Sequence, residues 1–287
     1  SWLKRIGCLY DLLKAEGVTD MFTYLTKPNL VGAVVGRMAG VEKIYASIRS
    51  SRLSYWKILV ERVSANLLAD KVIFNSYEAE KLFAKAGFSN SVVIGNCVDR
   101  VFAYQARPDR AVVRIISVGR FVKEKDYGTA LKAVNELKGR GVQFIWQLIG
   151  YGPLEKAIRE GVAKLGLIAH VEITINPAGI ESLLDEADIY LSTSSAEGTS
   201  NAILEAMNSS LPVVATRVGD NERLVVEEKS GYLHDVGDYL AIAESLNHLI
   251  ANHAVRIRFG EWSNRVVASR HSHRAFRETY LRLLGGE

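Results

Sequence analysis

The sequence lacks any long hydrophobic run and contains very little cysteine. No stretch of about eighteen apolar residues occurs, so we expect no transmembrane helix. The N-terminal segment SWLKRIGCLYDLL carries Arg5 and Asp11 and has no long apolar core, so no secretory signal peptide is expected. Cys8 and Cys97 do not form a spaced disulfide framework, which is typical of a protein in the reducing cytoplasm.

Several phosphate- and metal-binding motifs are also missing. The chain has no Walker phosphate loop, no spaced Cys/His pattern for zinc, and no Asp-x-Asp pair for a metal–diphosphate clamp. The segment IGYGPLE resembles a dinucleotide fingerprint, but Glu155 stands where the third glycine would be. We interpret its two glycines as a tight turn between a strand and a helix. We therefore expect neither a metal nor a cofactor.

Charge is unevenly distributed along the chain. The 287 residues are 48% hydrophobic and 24% charged, a composition typical of a globular protein of about two domains. Residues 1–104 hold 14 Lys and Arg against 9 Asp and Glu, residues 105–253 hold 15 against 20, and residues 254–287 hold 7 against 3. This pattern is either a random partition of solvated charge or a basic surface for phosphates or anionic lipid headgroups. The basic residues around one predicted strand and helix in the N-terminal part are Arg37, Lys43, Arg49, Arg52, Lys57 and Arg62.

Short apolar segments alternate with segments of helical period. Strands are predicted at 42–48, 71–76, 91–96, 112–120, 144–150, 170–175, 188–194 and 212–216. Helices are predicted at 54–69, 76–87, 126–141, 153–166, 179–187 and 272–284, with another that begins near residue 201. The alternation predicts an α/β fold with two Rossmann-like domains, parallel sheets and a cleft between the domains. In the helix at 54–69 one apolar face, the pattern of a helix packed on a core, comprises Trp56, Leu59, Val60, Val63, Leu67 and Leu68.

The segment SAEGTSNAILEAMNSSLPVVAT places two carboxylates around the start of a predicted helix. Glu197 precedes the helix and Glu205 lies one turn inside it. The amides of the first turn belong to Gly198, Thr199, Ser200 and Asn201. Such amides form an anion site, and nearby carboxylates can accept hydrogen bonds from hydroxyl groups of the same ligand. A ligand with a phosphate and two sets of hydroxyls is a nucleotide-sugar; the alternative is a capped surface helix with incidental acids.

Two basic residues follow the predicted strand at 112–120. Arg120 lies at its carboxyl end, and Lys125 comes five residues later, before a helix. In open α/β sheets ligands bind at the carboxyl ends of strands, so this pair would neutralise a diphosphate there. The alternative is two exposed basic residues in a charged loop.

Four segments in order resemble the donor-binding domain of family-four retaining glycosyltransferases of the GT-B fold: SVGRFVKEKD, IGYGPLEKAI, DEADIYLSTSSAEGTSNAILEAMNSSLPVVATRVGDNERLV and GYLHDVGD. The resemblance implies that Glu197 contacts the transferred sugar, that Glu205 binds the ribose hydroxyls, and that Arg120 and Lys125 bind the diphosphate. The segment KVIFNSYEAEKLFAKAGFSNSVVIGNCVD is more weakly similar to the end of the family's acceptor domain. Arg49 stands near a position where many members have a histidine; a permanent cation cannot act as a general base but can hold a phosphate.

The resemblance also implies a domain organisation. The aperiodic, charged segment 97–111 is the expected linker. Residues 1–106 would form an acceptor-binding domain, residues 107–262 the donor-binding domain, and residues 263–287 a helix that packs back on the N-terminal domain. The family's glycine-rich first strand–helix turn is absent and the chain starts at Ser1, so we expect the N-terminal domain to be incomplete.

The leading hypothesis is a retaining, metal-independent glycosyltransferase that moves a sugar from a nucleotide diphosphate, by default UDP, to an acceptor hydroxyl in polysaccharide or lipid-linked glycan synthesis. Two alternatives remain: a nucleotide-sugar-binding fragment or paralogue without turnover, and a GT-B-fold epimerase acting on UDP-N-acetylglucosamine. The expected partners are the donor, a glycan or lipid-linked acceptor and an anionic membrane surface, but no nucleic acid. The expected location is the cytoplasm, with peripheral attachment to the inner face of the cytoplasmic membrane.

Overall fold

Two units of parallel β-sheet make up the computed structural model, which describes residues 2–49 and 55–285. The first unit comprises Ser1–Asn96 with Arg277–Glu287, and the second comprises Cys97–Phe276. All strand pairs in both sheets are parallel, which confirms the predicted α/β class. Within the described ranges, no helix has both the length and the apolar character needed to cross a membrane.

The first unit has a four-stranded sheet in sequence order, β1-β2-β3-β4. Its strands are β1 (Asp20–Tyr24), β2 (Lys43–Ile48), β3 (Lys71–Phe74) and β4 (Ser91–Val93). Its helices are α1 (Trp2–Ala15), α2 (Thr26–Ala39), α3 (Tyr55–Leu68) and α4 (Tyr77–Lys85). α1, β1 and α2 precede the first strand predicted from the sequence and were not predicted.

The apolar face predicted for α3 is mostly not buried in the structure. Trp56, Val60, Val63 and Leu67 are exposed, and Leu59 and Leu68 are half-buried. The fully covered residues of the helix are Glu61, Ser64 and Ala65. Glu61 is 1% exposed, and it accepts a hydrogen bond on Oε2 from Nδ2 of Asn29 in α2 at 3.0 Å. The period identifies residues that share a side of a helix, but packing against α2 decides which side is covered.

The second unit has a six-stranded sheet in the order β10-β9-β8-β5-β6-β7. Its strands are β5 (Val113–Val118), β6 (Phe144–Gly150), β7 (Val171–Ile175), β8 (Ile189–Ser192), β9 (Val213–Thr216) and β10 (Gly231–His234). Its helices are α5 (Tyr127–Gly139), α6 (Glu155–Lys164), α7 (Ile180–Glu186), α8 (Asn201–Asn208), α9 (Asn221–Leu224), α10 (Tyr239–Ala251) and α11 (His253–Arg270), and α12 (His273–Leu283) follows. In β6, Trp146 and Leu148 join one core cluster and Ile149 joins the other, so helices cover both faces of the sheet.

The division between the units falls ten residues before the expected boundary at 106/107. Segment 97–111 has little regular structure, but it is fixed to the second unit. Val98 N donates to His271 O at 2.9 Å, and Phe102 N donates to Asn208 Oδ1 at 3.1 Å. The second division, at 276/277 instead of 262/263, lies within α12.

Candidate active site

The candidate site lies at the carboxyl edge of the second sheet, where β5 and β8 are neighbours. Ile115 pairs with Ile189 and Ile116 with Tyr190. From β5 the chain continues to β6 and β7 on one side, and from β8 it continues to β9 and β10 on the other. The loops after β5 and β8 therefore diverge from a topological switch point, where open α/β sheets bind ligands.

The loop after β5 carries the predicted basic pair. A 3₁₀ turn spans Lys123–Lys125, and Asp126 (φ 43°) follows it. The Asp126 carboxylate caps α5 by accepting hydrogen bonds from Thr129 N at 3.3 Å and Thr129 Oγ1 at 2.7 Å. This cap fixes the position of Lys125 at the end of the loop. Arg120 is exposed and makes no ion pair with any residue that the structure describes.

Gly150, the first glycine of the IGYGPLE segment, allows the loop after β5 to pack against the end of β6. A Cβ atom on Gly150 would lie 1.9 Å from the carbonyl oxygen of Gly119. Phe121 N donates to Tyr151 O at 2.7 Å in the same contact. Gly150 is thus required for the close approach of the protein's own backbone and not for the approach of a ligand. This agrees with a tight turn and not with a dinucleotide fingerprint.

Glu197, in the loop after β8, receives two short hydrogen bonds on one oxygen. Lys125 Nζ and Ser194 Oγ each lie 2.6 Å from Glu197 Oε1. The side chains of Lys125 and Glu197 are 22% and 14% exposed, so the ion pair is largely withdrawn from water. Among the described residues no hydrogen bond reaches Oε2, which leaves that oxygen as an acceptor for a ligand.

Hydroxyl groups tie the two loops together. Thr193 Oγ1 lies 3.1 Å from the carbonyl oxygen of Lys125 and 2.9 Å from that of Asp126. Thr216 Oγ1 donates to Ser194 O at 2.5 Å from the end of β9. None of these three hydroxyl residues was predicted from the sequence. The run STSS (192–195), which overlaps the end of the predicted strand at 188–194, was an available signal for Thr193 and Ser194 but not for Thr216.

The loop after β9 fixes the backbone beside Glu197. Gly219 has φ 55°, and a Cβ atom on it would lie 2.5 Å from Glu197 O and 2.6 Å from Gly198 O. Asp220 N donates to Gly198 O at 3.1 Å, and its Oδ2 accepts from Thr199 Oγ1 at 2.8 Å. Gly219 and Asp220 were also missed, because nothing in the local pattern places them against a segment twenty residues earlier.

The predicted first-turn residues lie at the N-terminus of α8. Ser200 is the N-cap, and its side chain accepts from Ile203 N at 3.4 Å. The first amides of a helix have no partner within the helix and carry the positive end of its dipole. Asn201, the first residue of α8, therefore lies where an anion would be stabilised, whereas Gly198 and Thr199 precede the N-cap.

Glu205 and Asn201 line a cavity of about 620 Å³ within the second unit. Its other walls include Cys97, Asp99, Arg100, Pro177, Gly179, Ile180, Glu181 and Leu204. Part of the Glu205 side chain is exposed, but the surrounding protein desolvates its carboxyl group and raises its pKa; the charges of Glu181 and Asp99 raise it further. The described lining does not include Glu197, Arg120 or Lys125.

Two buried tyrosines support the end of β5. The Tyr127 hydroxyl donates to Gly119 O at 3.1 Å, and the Tyr190 hydroxyl donates to Val118 O at 3.2 Å. Burial raises the pKa of both tyrosines, and the nearby charge of Glu197 raises each pKa further. Both therefore remain neutral donors that hold the loop after β5 in place.

The structure thus brings Lys125 and Glu197 into contact across 72 residues of sequence. Glu205 lies in the cavity wall one helical turn from the N-terminus of α8. Arg120 shares the loop with Lys125, but among the described residues it makes no ion pair with either acid. Within residues 2–49 and 55–285, no group of three or more His, Cys, Asp or Glu side chains is arranged to hold a metal ion.

The family model described as Glycosyl transferases group 1 matches residues 106–265. The lipopolysaccharide core biosynthesis glycosyltransferase LpsE of Rhizobium meliloti is 27% identical over 173 residues, covering 60% of this chain and 50% of LpsE. The putative colanic acid biosynthesis glycosyltransferase WcaL of Escherichia coli is 33% identical over 154 residues, covering 50% of this chain and 38% of WcaL. The matched region therefore spans half or less of these two relatives.

The structure of Anabaena Alr3699/HepE in complex with UDP aligns with a TM-score of 0.87 at 20% identity, covering 98% of this chain and 81% of HepE. Its complex with UDP-glucose aligns with a TM-score of 0.82. This likeness confirms the GT-B fold that the sequence predicts.

Proposed function

Since the chain belongs to the group 1 glycosyl transferases, we propose that it is a retaining, family-four enzyme that moves a sugar from a nucleoside diphosphate to an acceptor hydroxyl. The observation that carries this proposal is the Lys125–Glu197 ion pair at the switch point, beside the N-terminus of α8. Lys125 would then provide a cation for the diphosphate and Glu197 a carboxylate for the sugar, side by side at the bond that breaks between them.

We propose that the donor lies across the N-terminus of α8. Arg120 would bind the diphosphate as a planar fork and Lys125 as a point charge, with the amides of 198–201 adding the helix dipole. Glu205 would accept hydrogen bonds from the ribose hydroxyls at the wall of the 620 Å³ cavity, a size within the range of about 300–1,000 Å³ found for small-molecule sites. UDP is the proposed nucleotide, a choice supported by the UDP complexes of HepE.

The transfer breaks the bond between the anomeric carbon and the diphosphate oxygen, and the electron pair stays on the diphosphate. The acceptor oxygen forms the new bond to the anomeric carbon, and its proton passes to the departing diphosphate oxygen. Arg120, Lys125 and the α8 amides would stabilise the charge that grows on the leaving group. Glu197 would orient the sugar through Oε2 and favour the cationic ring. No metal or cofactor takes part in this scheme, because basic side chains supply the charge neutralisation.

We propose a glycan or lipid-linked acceptor and a role in polysaccharide synthesis, in line with the names of LpsE and WcaL. We also propose that the protein acts in the cytoplasm, attached peripherally to the inner face of the cytoplasmic membrane. The basic excess of residues 1–104 supports attachment to anionic lipid.

Donor binding and turnover test the proposal in two steps. At 100-fold excess over its Kd, UDP should stabilise the native state by about 2.7 kcal/mol, read as a rise in Tm. Wild-type protein with UDP-sugars should then release free UDP, and Glu197→Gln should release much less. Binding without UDP release from any donor or acceptor would favour the non-catalytic module, and an altered sugar nucleotide without free UDP would favour the epimerase.

A further inference from the structure

Helix α3 exposes an apolar stripe. Trp56 is 71% exposed and Leu67 is 75% exposed, with Val60 and Val63 exposed between them. These four positions follow the spacing i, i+4, i+7 and i+11, so they lie along one side of the helix. The stripe is continuous over about three turns of α3.

The neighbouring helix α2 also exposes apolar side chains. Met38 is 68% exposed, and Leu30 and Val34 precede it at intervals of four residues. Among the residues of α2 that follow Pro28, these three are the exposed ones. The solvent-facing side of α2 is therefore apolar for almost its whole length.

The two stripes lie on the same side of the first sheet. Strands β1, β2 and β3 are parallel neighbours in sequence order. Connections of this kind follow a right-handed rule, which places α2 and α3 on one side of the sheet. The helices contact each other, since Arg37 Nε donates to Leu68 O at 2.9 Å. The resulting surface, the helix face, consists of Leu30, Val34, Met38, Trp56, Val60, Val63 and Leu67. Contiguous exposed apolar patches are typical of interaction sites.

The exposed charged residues on α2 and α3 themselves are basic. Lys27, Lys57 and Arg62 are exposed on α2 and α3, whereas Glu61, the acid of these two helices, is buried. Of the other basic residues predicted to form a cluster here, Arg37 is held by Asp70 at 2.7 Å. Arg52 lies outside the described residues.

The basic border distinguishes between the possible occupants of the helix face. A second copy of the chain would bring Lys27 and Lys57 towards equivalent cations, which is unfavourable. An anionic membrane matches both features, because the headgroups pair with the lysines and the acyl boundary takes up the apolar side chains. Trp56 is also of the residue type enriched at membrane interfaces.

We propose that the helix face is the membrane-docking surface of this protein and that it sits in the headgroup–acyl boundary of an anionic leaflet. This inference rests on the peripheral attachment proposed above and assigns it to named side chains. The docking combines insertion of Trp56, Leu67 and Met38 with pairing of Lys27 and Lys57 to lipid phosphates.

Vesicle sedimentation of the whole chain tests the assignment. The probes are phosphatidylglycerol/phosphatidylcholine vesicles and vesicles of phosphatidylcholine alone. We expect wild type to bind the anionic vesicles, and the double variant Trp56→Glu/Leu67→Glu to lose at least tenfold in affinity. Met38→Glu on the neighbouring helix should also bind more weakly. Ile168→Glu changes an equally exposed apolar residue (73%) in the second unit and should bind like wild type.

Each outcome decides the proposal. Unchanged Tm in the variants excludes a folding defect as the cause of lost binding. Wild type and the double variant binding equally would remove the helix face from the docking surface while leaving membrane attachment intact. No binding of wild type to either vesicle would overturn both attachment and surface, whereas UDP binding and release, measured without lipid, would still test the enzymatic proposal. A wild-type dimer that the double variant dissociates would assign the helix face to a second copy.

Discussion

The Ser194 hydroxyl is a small group on which the geometry of Glu197 depends. Ser194 is fully buried, and its Oγ donates to Glu197 Oε1 at 2.6 Å. Lys125 Nζ reaches the same oxygen at the same distance. If Lys125 turns to the donor diphosphate, Ser194 becomes the remaining donor that holds the carboxylate. Ser194→Ala should therefore disturb the position of Glu197 more in the donor-bound enzyme than in the free enzyme.

The magnitude follows from the kind of bond that is lost. A hydrogen bond to a charged group contributes roughly 1.5–3 kcal/mol. If Glu197 orients the sugar in the transition state, that loss lowers kcat by roughly 10- to 150-fold at about 1.36 kcal/mol per factor of ten. UDP affinity should stay within about twofold, because the proposed nucleotide contacts of Glu205 and Arg120 are intact.

The assay combines UDP release with calorimetric titration of UDP. Ser195→Ala, the same substitution one residue later at an exposed side chain, serves as the matched control and should keep wild-type kcat. A Ser194→Ala enzyme with wild-type kcat and a weakened Kd for UDP would refute this reasoning, because Ser194 would then belong to nucleotide binding. A uniform loss in both, with a lower Tm, would indicate a purely structural role.

Four further predictions concern other parts of the site. Glu205→Ala should weaken UDP binding by roughly 1.5–3 kcal/mol, and unchanged Kd values for every nucleotide that binds wild type would remove Glu205 from the site. The pKa of Glu205 is raised, so its carboxylate is protonated at a higher pH than that of an ordinary glutamate. As the pH is lowered, wild-type UDP affinity should begin to fall at that higher pH. Glu205→Gln should abolish this acid limb, and a limb that persists in the variant belongs to another group. Glu197→Gln should leave UDP affinity nearly intact and reduce transfer, whereas equal losses would mean that the two acids are misassigned. Gly150→Ala should lower Tm and kcat together because its Cβ would collide with Gly119 O, while Gly139→Ala, which has open space, should not; equal Tm values for the two variants would contradict the steric argument.

Several strands and helices of the second unit follow from local patterns. The prediction at 144–150 coincides with β6, and the predicted helices at 126–141 and 153–166 contain α5 and α6. These segments are apolar runs or helical periods bounded by turn residues, so their neighbours in sequence are sufficient to define them. α11 has no clear apolar period and was not predicted, because contacts from distant parts of the chain cover it.

The same limit explains the error at α3. The period correctly grouped Trp56, Val60, Val63 and Leu67 on one side of a helix. Whether that side is buried depends on where α2 and the sheet lie, and there Asn29 binds Glu61 instead. A local pattern carries no information about that neighbour.

The sequence by itself determined the α/β class, the candidate acids Glu197 and Glu205, and the basic pair Arg120 and Lys125. Each follows from residue type and position relative to a strand end or a helix start. Only the tertiary structure decided that Lys125 and Glu197 form an ion pair, because β5 and β8 become neighbours only when the sheet assembles in its switched order. It likewise brought Gly219 against Glu197 and left the apolar side of α3 exposed, since these contacts depend on which distant segments the sheet order and helix packing make adjacent.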